Sequence, residues 1–214
     1  ETTYTTGYYV AYQTEPIDNL FFNANLRLND HSDFAHEWTG DVSASYLVEP
    51  TRTTFKSAIG KGYRAPNPYE LMPLANSAWY WRGNPDLEPE TALTWSVGVN
   101  QQIVADVLDA EVTYFQNQVE DFIDGYGGYD EDTFFSYPTN VDKLKIRGIE
   151  AAINAYPFKE LSLKLAYTWQ HVRDTETGAK HLAFIPDHKI SFDANYNPIT
   201  PLILNLGGVF VGSR

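Results

Sequence analysis

The sequence predicts an all-β fold, an antiparallel up-and-down transmembrane β-barrel. Apolar and polar residues alternate with a period of two over long segments, the chain is aromatic yet hydrophilic, and short connections alternate with long ones. A strand that crosses a bilayer needs about 9–11 residues with one apolar face, and barrels carry aromatic girdles where they meet both interfaces. The first two observations match these requirements, and the third matches the short turns and longer loops of outer-membrane barrels.

The composition separates this chain from ordinary globular domains. Aromatic residues make up 15% of its 214 residues, with 15 Tyr, 12 Phe and 5 Trp, although the mean hydropathy is −0.37. Tyr and Trp at the interfaces and a polar lumen would account for both values. A net charge of −13 argues against a nucleic-acid partner, because the phosphates would find little to neutralise them.

The alternation is strict in four segments, at 37–48, 93–100, 161–170 and 189–196, and helical spacing fits none of them. We expect their apolar residues to face lipid and their polar residues to face the lumen. The predicted lipid-facing residues are Trp38, Val42, Leu93, Trp95, Val97, Leu163, Leu165, Ile190, Phe192, Leu204 and Leu206. The predicted lumen-facing residues are Asp41, Ser43, Thr94, Ser96, Asn100, Lys164, Thr168, Asp193 and Asn205.

The same reading, taken in chain order, predicts about ten strands and sorts their connections by length. In an up-and-down barrel successive connections lie at opposite ends, and outer-membrane barrels have short periplasmic turns and longer extracellular loops. A soluble β-sandwich gives no reason for such sorting. The predicted strands are 3–14, 19–30, 37–48, 53–65, 89–104, 107–121, 138–155, 161–173, 183–196 and 201–214. The predicted long connections are 31–36, 66–88, 122–137 and 174–182.

Several motifs resemble the barrel of the TonB-dependent outer-membrane receptors. The clearest are YRAP, at 63–66, and NPDL, at 84–87, and further similar segments lie at 28–34, 59–71, 83–99, 143–153 and 166–174. The resemblance implies a 22-stranded type of barrel filled by an N-terminal plug. On this basis we expect residues 1–214 to be a fragment from the C-terminal half of the barrel, without plug and final strands. The resemblance also implies the bacterial outer membrane as the location, its lipid bilayer as a partner, and energising by TonB–ExbB–ExbD through the missing plug.

The resemblance implies a scarce small-molecule ligand such as cobalamin or a ferric siderophore. Haem receptors of the family carry a His in the corresponding loop, and residues 67–83 contain none, which disfavours haem. Aromatic residues beside cations suit a large planar or anionic ligand, although loop aromatics also pack on one another. The predicted ligand contacts are Arg64, Trp79, Tyr80, Trp81 and Arg82.

Strand alternation places Tyr63 outward and Arg64 toward the lumen, and the charges of Arg147 and Glu150 suggest that both lie on the lumen wall. Pro66 is expected to end its strand because it lacks the N–H that a ladder needs. Asn84 and Pro85 are typical of a turn that returns the chain to the next strand.

Metal, cofactor and catalytic sites are weakly indicated or not indicated. Asp124, Asp130, Glu131 and Asp132 are weak Ca²⁺ candidates, because they supply hard oxygen ligands without an EF-hand pattern. The sequence predicts no cofactor and no enzyme, since it contains no nucleophile elbow, phosphate loop or convincing zinc-ligand spacing. Two alternatives stay open, namely a passive porin-like barrel and a soluble β-sandwich binding module.

Overall fold

The structure, a computed structural model, describes residues 4–72, 82–130, 133–175, 178 and 185–212. Within these residues ten strands form one antiparallel sheet in chain order, β1 to β10, as predicted. One short helix, α1 (Pro68–Leu71), lies between β4 and β5. The strands are β1 (Thr5–Ile17), β2 (Leu20–His31), β3 (Glu37–Val48), β4 (Thr53–Arg64), β5 (Glu90–Val104), β6 (Leu108–Asp130), β7 (Thr133–Phe158), β8 (Leu161–Asp174), β9 (His188–Ile199) and β10 (Leu202–Val211).

Tight turns close one end of the sheet, which we call the turn end. They span two to four residues, and three contain a residue with positive φ: Asn19 at 67°, Arg52 at 52° and Asp106 at 58°. Asn and Asp tolerate this left-handed conformation better than most residues, which suits them to turns of this kind. The opposite end, which we call the rim, carries the connections 32–36, 65–89, 131–132 and 175–187.

Strand pairing confirms the predicted faces. Residues opposite each other across an antiparallel ladder share a face, and Val42 lies opposite Ile59, which lies opposite Trp95. On the other face Lys164 lies opposite Asp193. We call these the outer and the inner face.

The predicted lipid-facing residues lie on the outer face and, apart from one, are 37% to 66% exposed. The exception is Trp95, whose ring lies 5.3 Å from that of Tyr114 on the neighbouring strand. A broad apolar surface is therefore left uncovered along the middle of the sheet.

The sheet forms a single layer. Across the described residues, the substantial contacts between elements join consecutive strands only, and β1 and β10 each pair with one neighbour. No second sheet or helical layer covers the outer face of the described part, so the soluble β-sandwich alternative is wrong. In the same residues, no helix is both long enough and apolar enough to span a membrane.

Two predictions about β6 and β7 are wrong. Residues 122–137 do not form a long loop, because the ladder continues from Phe122 opposite Val141 to Asp130 opposite Thr133. Beyond Glu120, β6 no longer pairs with β5, so this hairpin projects past its neighbours. We call residues 121–142 the projecting hairpin.

The second error concerns the charges of β7. Arg147 and Glu150 are three residues apart on one strand and therefore lie on opposite faces. Arg147 lies opposite Gln116 and His171 on the outer face, whereas Glu150 lies opposite Thr113 and Thr168 on the inner face.

Candidate functional site

The rim is organised around an ion-pair cluster at Arg64. Arg64 is the last residue of β4 and lies opposite Glu90, the first residue of β5, on the inner face as predicted. Its guanidinium donates to both carboxylate oxygens of Glu90, at 2.6 and 2.8 Å, in the bidentate geometry that makes such pairs strong. A third contact, from Nη1 to the Glu70 carboxylate at 3.1 Å, reaches into the loop. We call Arg64, Glu70 and Glu90 the rim clamp.

The rim clamp closes the base of the 65–89 connection. Glu90 is only 9% exposed, and its carboxylate also accepts a hydrogen bond from the backbone N–H of Ile123 at 2.7 Å. One buried side chain therefore joins the end of β4, the start of β5 and the projecting hairpin. Since the guanidinium of Arg64 already serves two carboxylates, its geometry suits positioning of the loop.

The first turn of the connection is fixed by local sequence. Asn67 and Glu70 form a capping box, in which the Asn67 side chain accepts from the Glu70 N–H and the Glu70 carboxylate accepts from the Asn67 N–H. Pro68 occupies the first helical position, where its missing N–H costs nothing. Pro66 is buried and follows the end of β4, as predicted. Glu70 therefore serves the helix and the rim clamp at once.

The NPDL segment returns the chain to β5 as a turn, as predicted. The Asn84 side chain accepts from the Asp86 N–H at 3.0 Å and donates to the Pro138 carbonyl at 3.1 Å. The Asn84 N–H donates to the Glu70 carbonyl at 2.8 Å, which brings the two ends of the connection together. Leu87 is 3% exposed, so the turn also anchors an apolar side chain.

Asn140 on β7 holds the same segment, and the sequence analysis missed it. Its side chain accepts from the Glu88 N–H at 2.9 Å and donates to the Glu88 carbonyl at 2.8 Å, like a short piece of β-ladder. It also donates to the Asp121 carbonyl at 2.6 Å, where Asp121 has a positive φ of 55°. The only signal in the sequence is an amide side chain inside a predicted strand, which does not reveal a partner more than fifty residues away.

A small apolar core lies at this end of the inner face. The core residues share an exposure of 9% or less, and Val119 lies opposite Leu144 across the β6–β7 ladder. The segment 82–90 is hydrogen-bonded over these strands through Asn84, Glu88 and Glu90. The core residues are Leu87, Val119, Ile123, Leu144 and Val172.

Between β1 and β5 the inner face is polar and open. A groove of about 850 Å³ runs over β1 to β5 and includes Asn25, Arg27 and Asp41 among its lining residues. Asn25 donates to the Asp41 carboxylate at 3.0 Å, and Lys56 pairs with Glu111 at 3.3 Å farther along the wall. This wall offers a polar surface to whatever occupies the space inside.

The other predicted ligand contacts are only partly described. Arg82 is exposed at the rim, and its N–H donates to the Ser136 carbonyl of the projecting hairpin at 2.9 Å. Trp79, Tyr80 and Trp81 lie outside the described residues. Whether any of the five predicted residues touches a ligand therefore stays a prediction.

The acidic candidates for Ca²⁺ also stay a prediction. Asp124 lies on the projecting hairpin, and its carboxylate accepts from the Gly125 N–H at 2.8 Å. Glu131 and Asp132 lie outside the described residues, as does the side chain of Asp130. Among the side chains that are described, no group of three His, Cys, Asp or Glu is placed to hold a metal ion.

Comparison with known proteins gives one family and consistent relatives. A family model described as "TonB dependent receptor-like, beta-barrel" matches residues 1–214. The ferric enterobactin receptor PirA of Pseudomonas aeruginosa is 24% identical over 96% of this chain and 30% of its own length. The vitamin B12 transporter BtuB of Vibrio vulnificus is 29% identical over 59% of this chain and 19% of its own length.

The solved structures agree on the fold. The crystal structure of the siderophore receptor PirA from Pseudomonas aeruginosa superposes with a TM-score of 0.76 at 22% identity, covering 98% of this chain and 38% of the receptor. The chain thus corresponds to about a third of the length of the proteins that it matches. The matched proteins are named as receptors and transporters.

Proposed function

Because the chain belongs to the TonB-dependent receptor β-barrel family, we propose that it forms part of the wall of an outer-membrane receptor that imports a ferric siderophore. The observation that carries the proposal is the family match over residues 1–214, together with relatives named as ferric enterobactin receptors. In this proposal the ten strands are one arc of a larger barrel. Strands outside this chain pair with β1 and β10, because lipid does not tolerate unpaired strand edges.

The outer face supports the location. Val97, Leu165 and Phe192 are 44% to 49% exposed on strands that also expose many other large apolar side chains. An apolar surface of this extent marks an interaction site or an aggregation liability in water, but the hydrocarbon of a bilayer solvates it. An outer-membrane location therefore explains why such a large apolar face is left exposed, whereas a location in water does not.

The rim supports a role in ligand capture. The rim clamp and Asn140 fix both ends of the 65–89 connection at the rim of the wall. In our proposal Trp79, Tyr80, Trp81 and Arg82 contact the ligand, and Arg64 positions the loop. Aromatic faces and a guanidinium suit a ferric catecholate, which is planar at its rings and anionic.

Energised release requires parts that we place outside this chain. We propose that a plug, coupled to TonB–ExbB–ExbD, occupies the space lined by the polar inner face. The exposed Lys56–Glu111 pair and the Asn25–Asp41 contact provide polar partners for such a domain.

The test uses the full-length receptor that contains this chain, purified in detergent and assayed for quenching of Trp fluorescence by ferric enterobactin and by cyanocobalamin. We expect saturable quenching by ferric enterobactin and none by cyanocobalamin. Uptake of radiolabelled iron by cells should then depend on the receptor gene and on an energised membrane. If neither compound binds saturably, the proposal is contradicted.

Cobalamin is the second candidate ligand. It is favoured by the match to the vitamin B12 transporter BtuB, whose identity over the aligned residues, 29%, exceeds the 24% of PirA. Saturable quenching by cyanocobalamin alone would assign the receptor to cobalamin.

The porin alternative makes a different prediction. A passive porin needs an open lumen, so the purified full-length protein would conduct ions steadily in a planar bilayer without any ligand. A receptor filled by a plug should remain closed under the same conditions.

A further inference from the structure

A cluster of cations occupies the outer face of β7 and β8 near the rim. Arg147 lies opposite His171, and Lys145 lies opposite Arg173, so that two neighbouring pairs on the outer face of one ladder carry four basic side chains. Side chains directly opposite in such a ladder have Cβ atoms about 5 Å apart. We call Lys145, Arg147, His171 and Arg173 the outer basic cluster.

The outer basic cluster lines a shallow cleft of about 300 Å³, together with Asp174, Thr175 and Gly178. Arg173 donates from Nε to Nε2 of His171 at 2.7 Å, so the imidazole orients one guanidinium. Arg147 and Arg173 are exposed, and Lys145 is half-buried. The cluster is accessible from the outside of the wall.

Neighbouring carboxylates leave the outer basic cluster with a positive excess. Glu120 lies on the same face, but it pairs with Lys143 at 3.3 Å. Asp174 borders the cleft and has an interaction of its own. Within the part of the chain that the structure describes, Lys145 and Arg147 have no carboxylate partner.

The height of the cluster on the wall identifies its surroundings. On the outer face, the next pair toward the turn end is Ile149 with Trp169, followed by Ala151 with Tyr167 and Ile153 with Leu165. Trp and Tyr collect where hydrocarbon meets the headgroups, and apolar residues lie beyond them in the hydrocarbon. Arg147 and Lys145 lie two and four residues past Ile149, about 7 and 14 Å along a strand, which is the level of the headgroups.

We propose that the outer basic cluster binds the phosphate groups of an anionic glycolipid of the outer leaflet. The proposal rests on the outer-membrane location of the proposed function. Two guanidinium groups supply planar paired donors for phosphate oxygens, and the Lys145 ammonium adds a third charge. A lipid ligand explains why these cations face away from the lumen, where an imported ligand would pass.

The test measures lipid binding to the full-length receptor in detergent by native mass spectrometry. Diphosphorylated lipid A is titrated in one series, dephosphorylated lipid A in a second, and inorganic phosphate in a third. We expect binding of the diphosphorylated lipid only. The double variant Lys145→Gln with Arg147→Gln should lower that affinity roughly tenfold or more, since basic residues near the surface supply much of the attraction to anionic lipids.

Two control variants separate charge from folding. Arg27→Gln with Lys164→Gln also removes one Arg and one Lys charge, but from the inner face, and should leave lipid binding unchanged. Lys145→Arg with Arg147→Lys keeps the charges in place and should retain most of the affinity.

Three outcomes would overturn the inference: equal binding of both lipids, equal loss in the inner-face control, or saturation of the cluster by inorganic phosphate alone. If the receptor is recovered from the outer membrane and binds its siderophore while one of these outcomes occurs, only this inference fails. If it is absent from the outer membrane, the proposed function fails first.

Discussion

The middle of the wall and the rim use the same strands with opposite polarity. In the middle of β7 the outer face carries Ile149 and Ile153, and the inner face carries Glu150. Toward the rim the inner face of that strand carries Leu144, which is 1% exposed, and the outer face carries Lys145 and Arg147. One unbroken register therefore serves two surroundings, because what surrounds each face changes along the strand.

The difference shows what stabilises each region. In the middle, lipid is expected to cover the outer apolar face, so stability there depends on which way each side chain points. At the rim, the chain supplies its own cover by folding segment 82–90 over the inner face. Stability there depends on contacts between distant parts of the sequence.

The largest expected effect comes from placing a charged side chain on the outer, lipid-facing side of the middle region. Val97→Arg should impair barrel assembly, because a charge at the lipid midplane costs about 2–4 kcal/mol. Ser96→Arg, one residue away on the inner face, should assemble normally. The measurement is the fraction of folded receptor in outer membranes, read from the shift in gel mobility between heated and unheated samples. Equal folding of the two variants would contradict the assignment of faces.

The next effect tests whether the rim has a true core. Leu144→Ala should destabilise the rim by about 2–3 kcal/mol, the lower part of the range for a buried Leu, because the loop above can partly collapse. Hydrogen exchange of residues 82–90 and 119–123 should accelerate. Leu165→Ala, on the lipid-facing side, is the matched control and should leave those amides unchanged.

A smaller effect is expected from the rim clamp. Glu90→Gln removes the charge that Arg64 contacts twice and weakens the acceptor for the Ile123 N–H, which should cost about 2 kcal/mol locally. Limited proteolysis should then cut the 65–89 connection faster, while the barrel stays intact. Glu111→Gln breaks an exposed pair with Lys56 and should change the cleavage rate little, because such pairs contribute about 0–1 kcal/mol. Equal cleavage rates for the two variants would show that the rim clamp does not fix the 65–89 connection.

The smallest effect is expected at Asn140. Asn140→Ala removes the paired hydrogen bonds to Glu88 and the hydrogen bond to the Asp121 carbonyl. It should cost about 1 kcal/mol, since water at the rim can replace part of what is lost. In the proposed receptor, the affinity for the siderophore should fall less than with Glu90→Gln. A larger loss of affinity with Asn140→Ala than with Glu90→Gln would show that Asn140, and not the rim clamp, contributes most to holding the loop in place.

The middle region could be predicted from sequence because the alternation of apolar and polar residues is a local pattern. A period of two over ten residues predicts both the strand and its two faces. A charged residue such as Lys164 follows the same pattern and lies on the inner face. The strand order was predicted from the alternation of short and longer connections, which is typical of an up-and-down barrel.

The rim could not be predicted in the same way. Gly125, Asp130 and the acidic residues near them favour a loop by composition, yet the ladder of β6 and β7 continues through this segment. The continuation coincides with support from Asn84, Glu88 and Glu90, which are distant in sequence. Arg147 was misassigned because a charge was expected to avoid the outer face, and that expectation holds only within the hydrocarbon.

The rim clamp has a consequence for how such a wall changes over evolutionary time. It brings the two ends of the 65–89 connection to adjacent positions through contacts of Arg64, Glu70 and Glu90. The entropy cost of closing a loop grows slowly, by about 0.6 kcal/mol for each doubling of its length. Insertions and deletions between the clamped ends are therefore thermodynamically cheap. The sequence of this connection can therefore change in length and composition while the clamped ends and the strands beneath them are retained.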